Sequence, residues 1–363
     1  MTETPWNWQK KDWPNFTYNV EKLEELEDEF LHESGKLAGA VQHIAAVDMA
    51  ELNIEIMSDE ALQTSEIEGE YLNRDSVRSS IKANLGFGKT ARNMPAEQGI
   101  ADMMFDIYQN YKKPLTNEML FYWHERLTLG RRDLQDIGCY RTHQDAMQII
   151  SGPINKPNVH FEAPPSAQVS VEMQQFIKWF NESAELPILT RAAVAHLYFI
   201  TIHPFEDGNG RIARALVEKS LSESLGYNSL VSLSLVINKN KKQYYQKLAE
   251  SNHSNEITDW LIYFAEVILE AERYSYQLIE FVIRKAKVFN KFKDDLNERQ
   301  AKVINRLFKA GPEGFKGGLS AENYLSLTKT SRATATRDLQ DLVAKRILRK
   351  TGQRKSTRYF LEL

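Results

Sequence analysis

The sequence is poor in cysteine, with Cys139 the only one among 363 residues. A single cysteine cannot form an internal disulfide or a thiolate metal cluster, so neither organises this fold. Long apolar runs are missing too, since none approaches the roughly 18 residues that a membrane-spanning helix needs. The first residues, MTETPWNWQKKDWP, lack the basic and then apolar pattern of a secretory signal. We therefore expect a cytoplasmic protein without a membrane partner.

The net charge is small, −3, but the two signs are unevenly distributed. Residues 293–363 hold 16 Lys and Arg against 8 Asp and Glu, which leaves 30 basic and 41 acidic residues for the rest of the chain. An acidic body followed by a basic segment indicates two regions with different tasks. The length of 363 residues likewise favours two or three domains.

Apolar residues recur at helical spacing through most of the chain, so we expect an all-α fold. Residues 19–72 should form at least two helices, with a break near Ser34 and Gly35. A second break is expected near residues 252–255, inside an otherwise helical pattern. Further helices are predicted at residues 97–111, 116–129, 166–181, 187–202, 210–225 and 240–287.

Two segments lie outside the helical pattern. Residues 146–165, AMQIISGPINKPNVHFEAPP, contain glycines and prolines that forbid a helix, and their flanks favour strands. We expect a short β-hairpin or an extended flap there. The N-terminal residues Trp6, Trp8 and Trp13 are expected to form a cap whose rings pack onto the first helices.

The C-terminal segment is predicted to form three helices followed by two strands, which is the element order of a winged helix. The helices are expected at residues 297–309, 320–327 and 331–345, with Ser331 as the N-cap of the third. The exposed face of that third helix would carry Arg332, Thr334, Thr336 and Arg337. Winged helices bind DNA, and they also serve as protein–protein or dimer modules, so both kinds of partner stay open.

The most informative stretch is HPFEDGNGR, residues 203–211. Pro204 cannot continue a preceding helix, so the chain must turn where the His203 imidazole emerges. The GNG sequence at residues 208–210 lets successive N–H groups point inward as an anion nest. It leads into a new helix whose N-terminal end also attracts negative charge. A phosphate group fits this arrangement.

Charged residues around the nest indicate more than one phosphate. Arg211 and Arg214 lie three residues apart, on one face of the new helix, and their guanidinium groups suit phosphate oxygens. Asp207 is a hard oxygen ligand that would hold Mg²⁺ between the phosphates. His203 could take the proton from an attacking hydroxyl. These residue types together predict a polyphosphate site with a base at its edge.

The stretch HPFEDGNGRIAR, residues 203–214, resembles the signature HxFx(D/E)GNGRxxR of Fic-domain proteins at every motif position. Residues 117–270 are similar to the helical core of that family and its flap. The resemblance implies transfer of AMP from ATP to a Ser, Thr or Tyr hydroxyl of a target protein or of the protein itself, with Mg²⁺ as cofactor.

The resemblance also implies roles for individual residues. His203 is the expected base, Asp207 is the expected Mg²⁺ ligand, and Phe205 would anchor the loop in the core. Val159 and His160 of the flap would clamp the target in an extended form by strand addition. Contacts with the nucleotide are expected from Glu68, Phe205, Gly208, Asn209, Gly210, Arg211, Arg214, Tyr244, Tyr245 and Asn252.

A second motif, TSEIEG at residues 64–69, resembles the inhibitory pattern (S/T)xxxE(G/N) of the same family. Thr64, Glu68 and Gly69 occupy its fixed positions. A glutamate near the arginines is a competing anion, because Glu68 paired with Arg214 would occupy the place of the γ-phosphate. We therefore expect a ground state that is largely inactive. The neighbouring residues expected at the surface are Ser65, Glu66 and Glu70.

These observations predict three domains. Residues 1–112 would form an N-terminal helical domain with the inhibitory helix, and their opening, WNWQKKDWPNFTYN, looks like a domain often fused ahead of this core. Residues 113–290 would form the Fic core, and residues 291–363 the winged helix.

The leading interpretation is a self-inhibited protein adenylyltransferase. One alternative is removal of AMP by the same site, with Glu68 aligning a water molecule. Another is a DNA-binding regulator whose nucleotide site acts as a sensor. The sequence leaves open the target protein, the oligomeric state, a homodimer included, and the event that displaces Glu68.

Overall fold

The computed structural model describes residues 4–362 except 43, 89–93, 152–157, 230, 293–294, 312–314 and 316. The chain divides into two compact units, one of residues 1–36 and 53–275 and the other of residues 37–52 and 276–363. The described residues are mostly helical, which confirms the predicted all-α class. None of the helices in this described part combines the length and the apolar character needed to cross a bilayer.

In chain order the helices are α1 (Glu24–Val41), α2 (Ala46–Ile67), α3 (Arg74–Asn84), α4 (Pro95–Asn110), α5 (Asn117–Leu127), α6 (Ser166–Glu182), α7 (Ile188–Ile202), α8 (Asn209–Leu225), α9 (Leu233–Lys239), α10 (Lys241–Ser251), α11 (Thr258–Phe292), α12 (Glu298–Phe308), α13 (Ala321–Thr328) and α14 (Arg332–Ala344). The strands are β1 (Gln148–Ser151), β2 (Asn158–Glu162), β3 (Leu348–Thr351) and β4 (Arg358–Leu361).

Helix α1 runs through Ser34 and Gly35, so the break predicted there is wrong. Ser34 is buried and its hydroxyl donates a hydrogen bond to the Glu272 carboxylate, which ties this turn into the fold. A glycine inside a helix costs only about 1 kcal/mol relative to alanine, a penalty that such packing can offset. The break instead falls between Val41, where α1 ends, and Ala46, where α2 begins.

Two helices were not predicted, α3 and α9. Helix α3 is mostly polar, and its start is fixed by the Asn73 side chain, which accepts a hydrogen bond from the Ser76 N–H at 3.0 Å. It buries only a narrow stripe that includes Val77 and Ile81. Helix α9 spans 7 residues, too few for a periodic apolar pattern to stand out. The predicted break near residues 252–255 is confirmed by the end of α10 and the start of α11.

Helix α7 lies at the centre of the first unit. Its sequence, ILTRAAVAHLYFITI, is apolar around most of its circumference, as expected of a helix buried on all sides. Tyr198 and Phe199 pack into one cluster of buried side chains, and Leu189 and Leu197 pack into another. Helix α7 is therefore a rigid support for the loop that follows Ile202.

The predicted flap is a β-hairpin. Strands β1 and β2 pair antiparallel, with Gln148 opposite Glu162 and a register shift between Ile149 and Ile150. Phe161 of β2 is buried, which fixes one face of the hairpin to the unit. The turn-forming residues Gly152, Pro153 and Pro157 lie outside the described residues.

The N-terminal tryptophans pack against the flap and α7, so the prediction that they cover the first helices is wrong. Trp6 contacts Phe161 edge to face, with ring centroids 5.4 Å apart. The Trp8 indole donates a hydrogen bond to the Glu162 carbonyl at 2.7 Å. The ring of Trp13 lies 5.2 Å from that of Tyr198.

In the second unit, α12, α13 and α14 are followed by the antiparallel hairpin of β3 and β4. The side chain of Ser331 accepts a hydrogen bond from the Thr334 N–H at 3.2 Å, which confirms the predicted N-cap. An isolated bridge joins Leu319 to Tyr359. The predicted element order is confirmed, and the assignment as a winged helix stays a prediction.

Candidate active site

The site begins where α7 ends. His203 adopts a left-handed conformation with φ 50° and ψ 58°, and its N–H donates to the Phe199 carbonyl at 3.1 Å. This conformation is costly for a residue with a Cβ atom. Pro204, which cannot continue the helix, follows directly. The turn projects the His203 side chain away from the axis of α7.

The His203 imidazole is neutral at physiological pH. Its Nδ1 lies 3.3 Å from the Ile200 carbonyl, and since a carbonyl only accepts, Nδ1 carries the proton and Nε2 keeps its lone pair. Burial lowers the pKa of His203 to about 4, and the positive charge of Arg141 acts in the same direction. A half-buried imidazole with a free Nε2 lone pair can accept a proton.

The loop after His203 is held rigid by Phe205 and Asn209. Phe205 is fully buried and stacks on His124 with ring centroids 4.3 Å apart. The Asn209 side chain accepts from the Phe205 N–H at 3.0 Å and donates to the Phe205 carbonyl at 2.7 Å. The side chain of Asn209 therefore closes the loop, and the N–H groups of the first turn of α8 are what this segment offers to an anion.

Two buried arginines line the start of α8. Arg214 donates from Nε to Thr64 Oγ1 at 2.7 Å and from Nη2 to Glu68 Oε1 at 2.8 Å. Arg211 pairs through Nη1 with Glu70 Oε2 at 2.7 Å. Within the described residues, Arg214 Nη1 and Arg211 Nε are buried without a hydrogen-bond partner. Buried donors without a partner are uncommon in folded proteins, and such donors on two neighbouring arginines could bind an anion.

Gly208 and Gly210 meet two different demands of this turn. Gly208 has φ 83°, a left-handed conformation that favours glycine. A Cβ atom added to Gly210 would collide with Glu68 Oε1. The Glu68 carboxylate therefore lies directly against the backbone of the predicted phosphate nest.

Asp207 is ionised and lies between two arginines. Burial raises the pKa of Asp207, but Arg211, the Gly208 N–H and Arg131 outweigh that effect and hold it below its usual range. Asp207 Oδ2 lies 2.6 Å from Arg131 Nη1 and 3.4 Å from Arg211 Nη2. Mg²⁺ is commonly bound by one or two carboxylates together with substrate phosphates. Asp207 beside the arginine-lined cradle fits that donor set, and the described residues contain no group of three metal-ligating side chains.

The end of α2 supplies both carboxylates that meet the arginines. The Glu70 N–H donates to the Ser65 carbonyl at 3.0 Å, and the Gly69 N–H donates to the Glu66 carbonyl at 3.0 Å. These two bonds, with Gly69 at φ 85°, are those of a Schellman C-cap. This turn brings Glu68 and Glu70 to the site together.

One of the surface predictions around this turn, that for Ser65, is wrong. Ser65 is fully buried, because it lies on the face of α2 that packs into the unit. Glu70 is half-buried and paired with Arg211. The predicted pair of Glu68 and Arg214 is present, with Thr64 buried beside it. Glu70 could have been found from Gly69, since a C-cap glycine reverses the chain and turns the next side chain back toward the helix end.

The residues predicted around the nucleoside lie in two places. Tyr244 is buried, and its hydroxyl lies 3.0 Å from His196 Nε2. Tyr245 is 41% exposed, with its ring centroid 5.2 Å from that of Tyr244. Asn252 instead donates a hydrogen bond to the His160 carbonyl of β2 at 3.2 Å. The side chain of Asn252 therefore supports the flap, whose Val159 and His160 are exposed.

Comparison with known proteins identifies the core of this unit. Residues 114–221 match the model of the Fic/DOC family. The chain carries a Fic domain. Residues 6–87 match a domain of unknown function (DUF4172). The loop built from His203 to Arg214 thus lies inside the Fic match, and the Glu68 turn lies inside the other.

Several curated relatives carry the name protein adenylyltransferase. Fic-1 of Caenorhabditis elegans is 26% identical over 212 residues, which are 56% of this chain and 37% of the relative. Fic of Drosophila mojavensis is 33% identical over 94 residues, which are 25% of this chain and 18% of the relative. This chain therefore spans little more than a third, or less, of these relatives.

Solved structures share the fold of the Fic domain. A Fic family protein from Desulfovibrio desulfuricans has a TM-score of 0.55 and 21% identity, covering 96% of this chain and 98% of that one. Residues 134–508 of C. elegans Fic-1 have a TM-score of 0.52 and 19% identity, covering 73% of this chain and 74% of that one. At these identities the likeness establishes the fold.

Proposed function

We propose that this protein transfers AMP from ATP to a hydroxyl side chain of a target protein or of itself. One observation carries the proposal: the loop that begins at His203, a neutral imidazole, leads into α8, whose buried Arg211 and Arg214 each keep an N–H donor without a partner among the described residues. Such a cradle suits a polyphosphate, and the imidazole suits an incoming hydroxyl. The names of the relatives support the same reaction.

In the proposed reaction, the hydroxyl oxygen attacks the α-phosphorus of ATP while His203 Nε2 takes the hydroxyl proton. The bond from the α-phosphorus to the bridging oxygen breaks, and pyrophosphate leaves with that electron pair. Arg211, Arg214 and the N–H groups at the start of α8 stabilise the leaving charge. Asp207 would hold Mg²⁺, which supplies charge neutralisation on the phosphates when bound.

We further propose that the resting protein inhibits itself. Glu68 is paired with Arg214 and lies against Gly210, so it competes with a phosphate group for the same donors. Arg214 is buried whereas Glu68 is partly exposed, so losing Glu68 would leave a buried cation without its carboxylate partner, which costs free energy. Since the Schellman turn fixes Glu68, release requires a change at the end of α2.

The flap is proposed to select the target. Its exposed residues Val159 and His160 lie on β2, and an extended target segment could add to this hairpin as a further strand. Removal of AMP by the same site remains the second candidate, because the Glu68 carboxylate lies at the cradle, where it could orient a water molecule.

The proposed chemistry is tested with ATP labelled on either the α- or the γ-phosphate, incubated with Mg²⁺ and the Glu68→Gly variant. We expect protein-bound label from α-labelled ATP and none from γ-labelled ATP, since AMP is the transferred group. Protein-bound γ-label would contradict the proposal and indicate phosphorylation. Loss of preloaded α-label, without gain, would favour AMP removal.

A further inference from the structure

Arg141 is a buried cation that lacks a carboxylate partner among the described residues. It is 2% exposed and lies in the segment between α5 and β1. Burial lowers its pKa to about 10, and a buried unpaired charge costs several kcal/mol. Carboxylates pair with the other buried arginines of the described chain, which are Arg191, Arg211 and Arg214. A buried cation with this free-energy cost is expected to have a specific role.

The contacts of Arg141 join the catalytic loop to the end of the flap. Its Nε donates to the His203 carbonyl at 2.8 Å, and its Nη1 donates to Ser166 Oγ at 2.9 Å. Its Nη2 donates to the carbonyl of Pro164, which follows β2. Its backbone N–H donates to the Pro204 carbonyl at 2.9 Å. One planar guanidinium thus joins two segments, the loop at His203 and the stretch from Pro164 to Ser166, as its rigid fork allows.

We propose that Arg141 is a positioning residue for His203, because it holds the His203 backbone at a fixed position relative to the end of the flap. His203 is a left-handed residue at a helix end, where carbonyl groups lack partners within the helix. The Arg141 fork satisfies these carbonyls and so fixes the direction in which the imidazole points. A target held on β2 would then be held relative to the base. The expected effect of Arg141 on the rate of AMP transfer rests on the proposed function, whereas its expected effect on the position and titration of His203 does not.

Arg141 also acts on the charge state of the imidazole. Three charged groups act on His203: Arg141 beside its carbonyl, Glu68 from the end of α2, and Asp207 from the loop. Burial is the largest cause of the low pKa of His203. The positive charge of Arg141 lowers this pKa further, whereas the two carboxylates raise it. Arg141 therefore opposes the two carboxylates and adds to the effect of burial, which is the main reason that the imidazole is neutral.

The test is a titration of the histidine rings by NMR in the full chain without nucleotide, with His203 assigned by the signal that His203→Ala removes. The parent ring should stay neutral down to about pH 5. Arg141→Gln should move the titration of His203 up by about one pH unit, because a nearby cation is lost. Arg141→Lys keeps the charge and should leave the titration in place. In the Glu68→Gly background, however, Arg141→Lys should slow AMP transfer about tenfold or more, since an ammonium cannot reproduce the fork.

Arg191 is the matched control. It is also buried, lies on α7, and donates to the Phe180 and Ser220 carbonyls, but it pairs with Glu223. Arg191→Gln should lower thermal stability while leaving the titration of His203 unchanged. The proposal is overturned if folded Arg141→Gln titrates like the parent, or if Arg191→Gln shifts His203 equally. If Arg141→Gln does not fold, the proposal is overturned when Arg141→Lys in the Glu68→Gly background transfers AMP as fast as Glu68→Gly alone.

Failure of Glu68→Gly itself to transfer AMP would count against the proposed function alone, because the titration needs no nucleotide. A shifted titration in Arg141→Gln with an inactive parent would thus support the positioning role and contradict the enzyme assignment.

Discussion

At the scale of single residues, the charges of the loop are matched by the chain's own side chains. Arg214 meets Glu68, Arg211 meets Glu70, and Asp207 meets Arg131. The site is therefore electrostatically balanced before any ligand enters, and a nucleotide must displace these partners. The TSEIEG motif predicted the first pair, whereas no sequence motif marked the other two.

Glu70 should weaken nucleotide binding because it competes for Arg211. Replacing Glu70 with Gln removes a charged partner at 2.7 Å and should tighten ATP binding about tenfold, the equivalent of roughly 1.4 kcal/mol. The measurement is the Kd of Mg²⁺-ATP by calorimetry. The control is Glu66→Gln on the same helix, expected to have no effect. Equal Kd values for Glu70→Gln and the parent would show that Glu70 does not compete.

At the scale of elements, the structure shows how the turn at the end of α2 directs Glu70, which the sequence pattern did not predict. Helical periodicity predicted α2, but periodicity ends with the helix and cannot tell where Glu70 points. That direction depends on the left-handed Gly69, with φ 85°. The Arg141 contacts were equally hidden, because they join backbone carbonyls that carry no sequence signature. The loop from His203 to Arg214 could be predicted because its chemistry is local.

Gly69→Ala should loosen the turn that holds both carboxylates. A Cβ atom there meets nothing within 4 Å, so the cost is the left-handed conformation alone, about 1 kcal/mol or more. We expect a rise in α-label incorporation over the parent, to less than the Glu68→Gly level. Gly35→Ala in α1, where a Cβ atom is equally unhindered, should instead stabilise the protein by about 1 kcal/mol without activation. Identical behaviour of the two variants would rule out the turn as the cause.

Glu60 should make the attachment of α2 depend on pH. Its carboxylate accepts from the Ser234 N–H at 2.9 Å at the start of α9, and burial raises its pKa to about 7. The unfolded value is about 4.3, so the folded state favours the protonated form. This contribution is present below about pH 4.3 and is lost as pH rises through 7.

Glu60→Gln cannot ionise and should therefore gain stability relative to the parent as pH rises. The measurement is the difference in Tm between Glu60→Gln and the parent at pH 5.5 and at pH 8. We expect the difference to grow in favour of the variant at pH 8. A difference that stays constant would mean that Glu60 does not titrate in this range.

At the scale of the whole molecule, composition indicated two tasks, and the helix order of the basic segment is as predicted. The two family matches, residues 6–87 and 114–221, fall on either side of the predicted boundary at residue 112, which stays a prediction. Charge sums could not reveal a partner for residues 293–363, because a basic surface suits both nucleic acid and acidic protein.

DNA binding by the C-terminal unit is tested on the full chain by gel shift with duplex DNA over a range of salt concentrations. If the predicted helix α14 enters a groove, replacing Arg332 and Arg337 with Ala should weaken binding and lower the salt slope by up to about two. Arg284→Ala on α11 serves as the control. Absence of binding even at low salt would leave the protein-partner alternative.

The most direct test of the central claim compares α-label incorporation by the parent, Glu68→Gly and the double variant Glu68→Gly/His203→Ala. We expect little label in the parent, strong label in Glu68→Gly, and a fall of roughly 10²-fold or more in the double variant, since His203 is the proposed base. Equal labelling by Glu68→Gly and the double variant would contradict the role of His203. Equal labelling by the parent and Glu68→Gly would contradict the inhibition by Glu68.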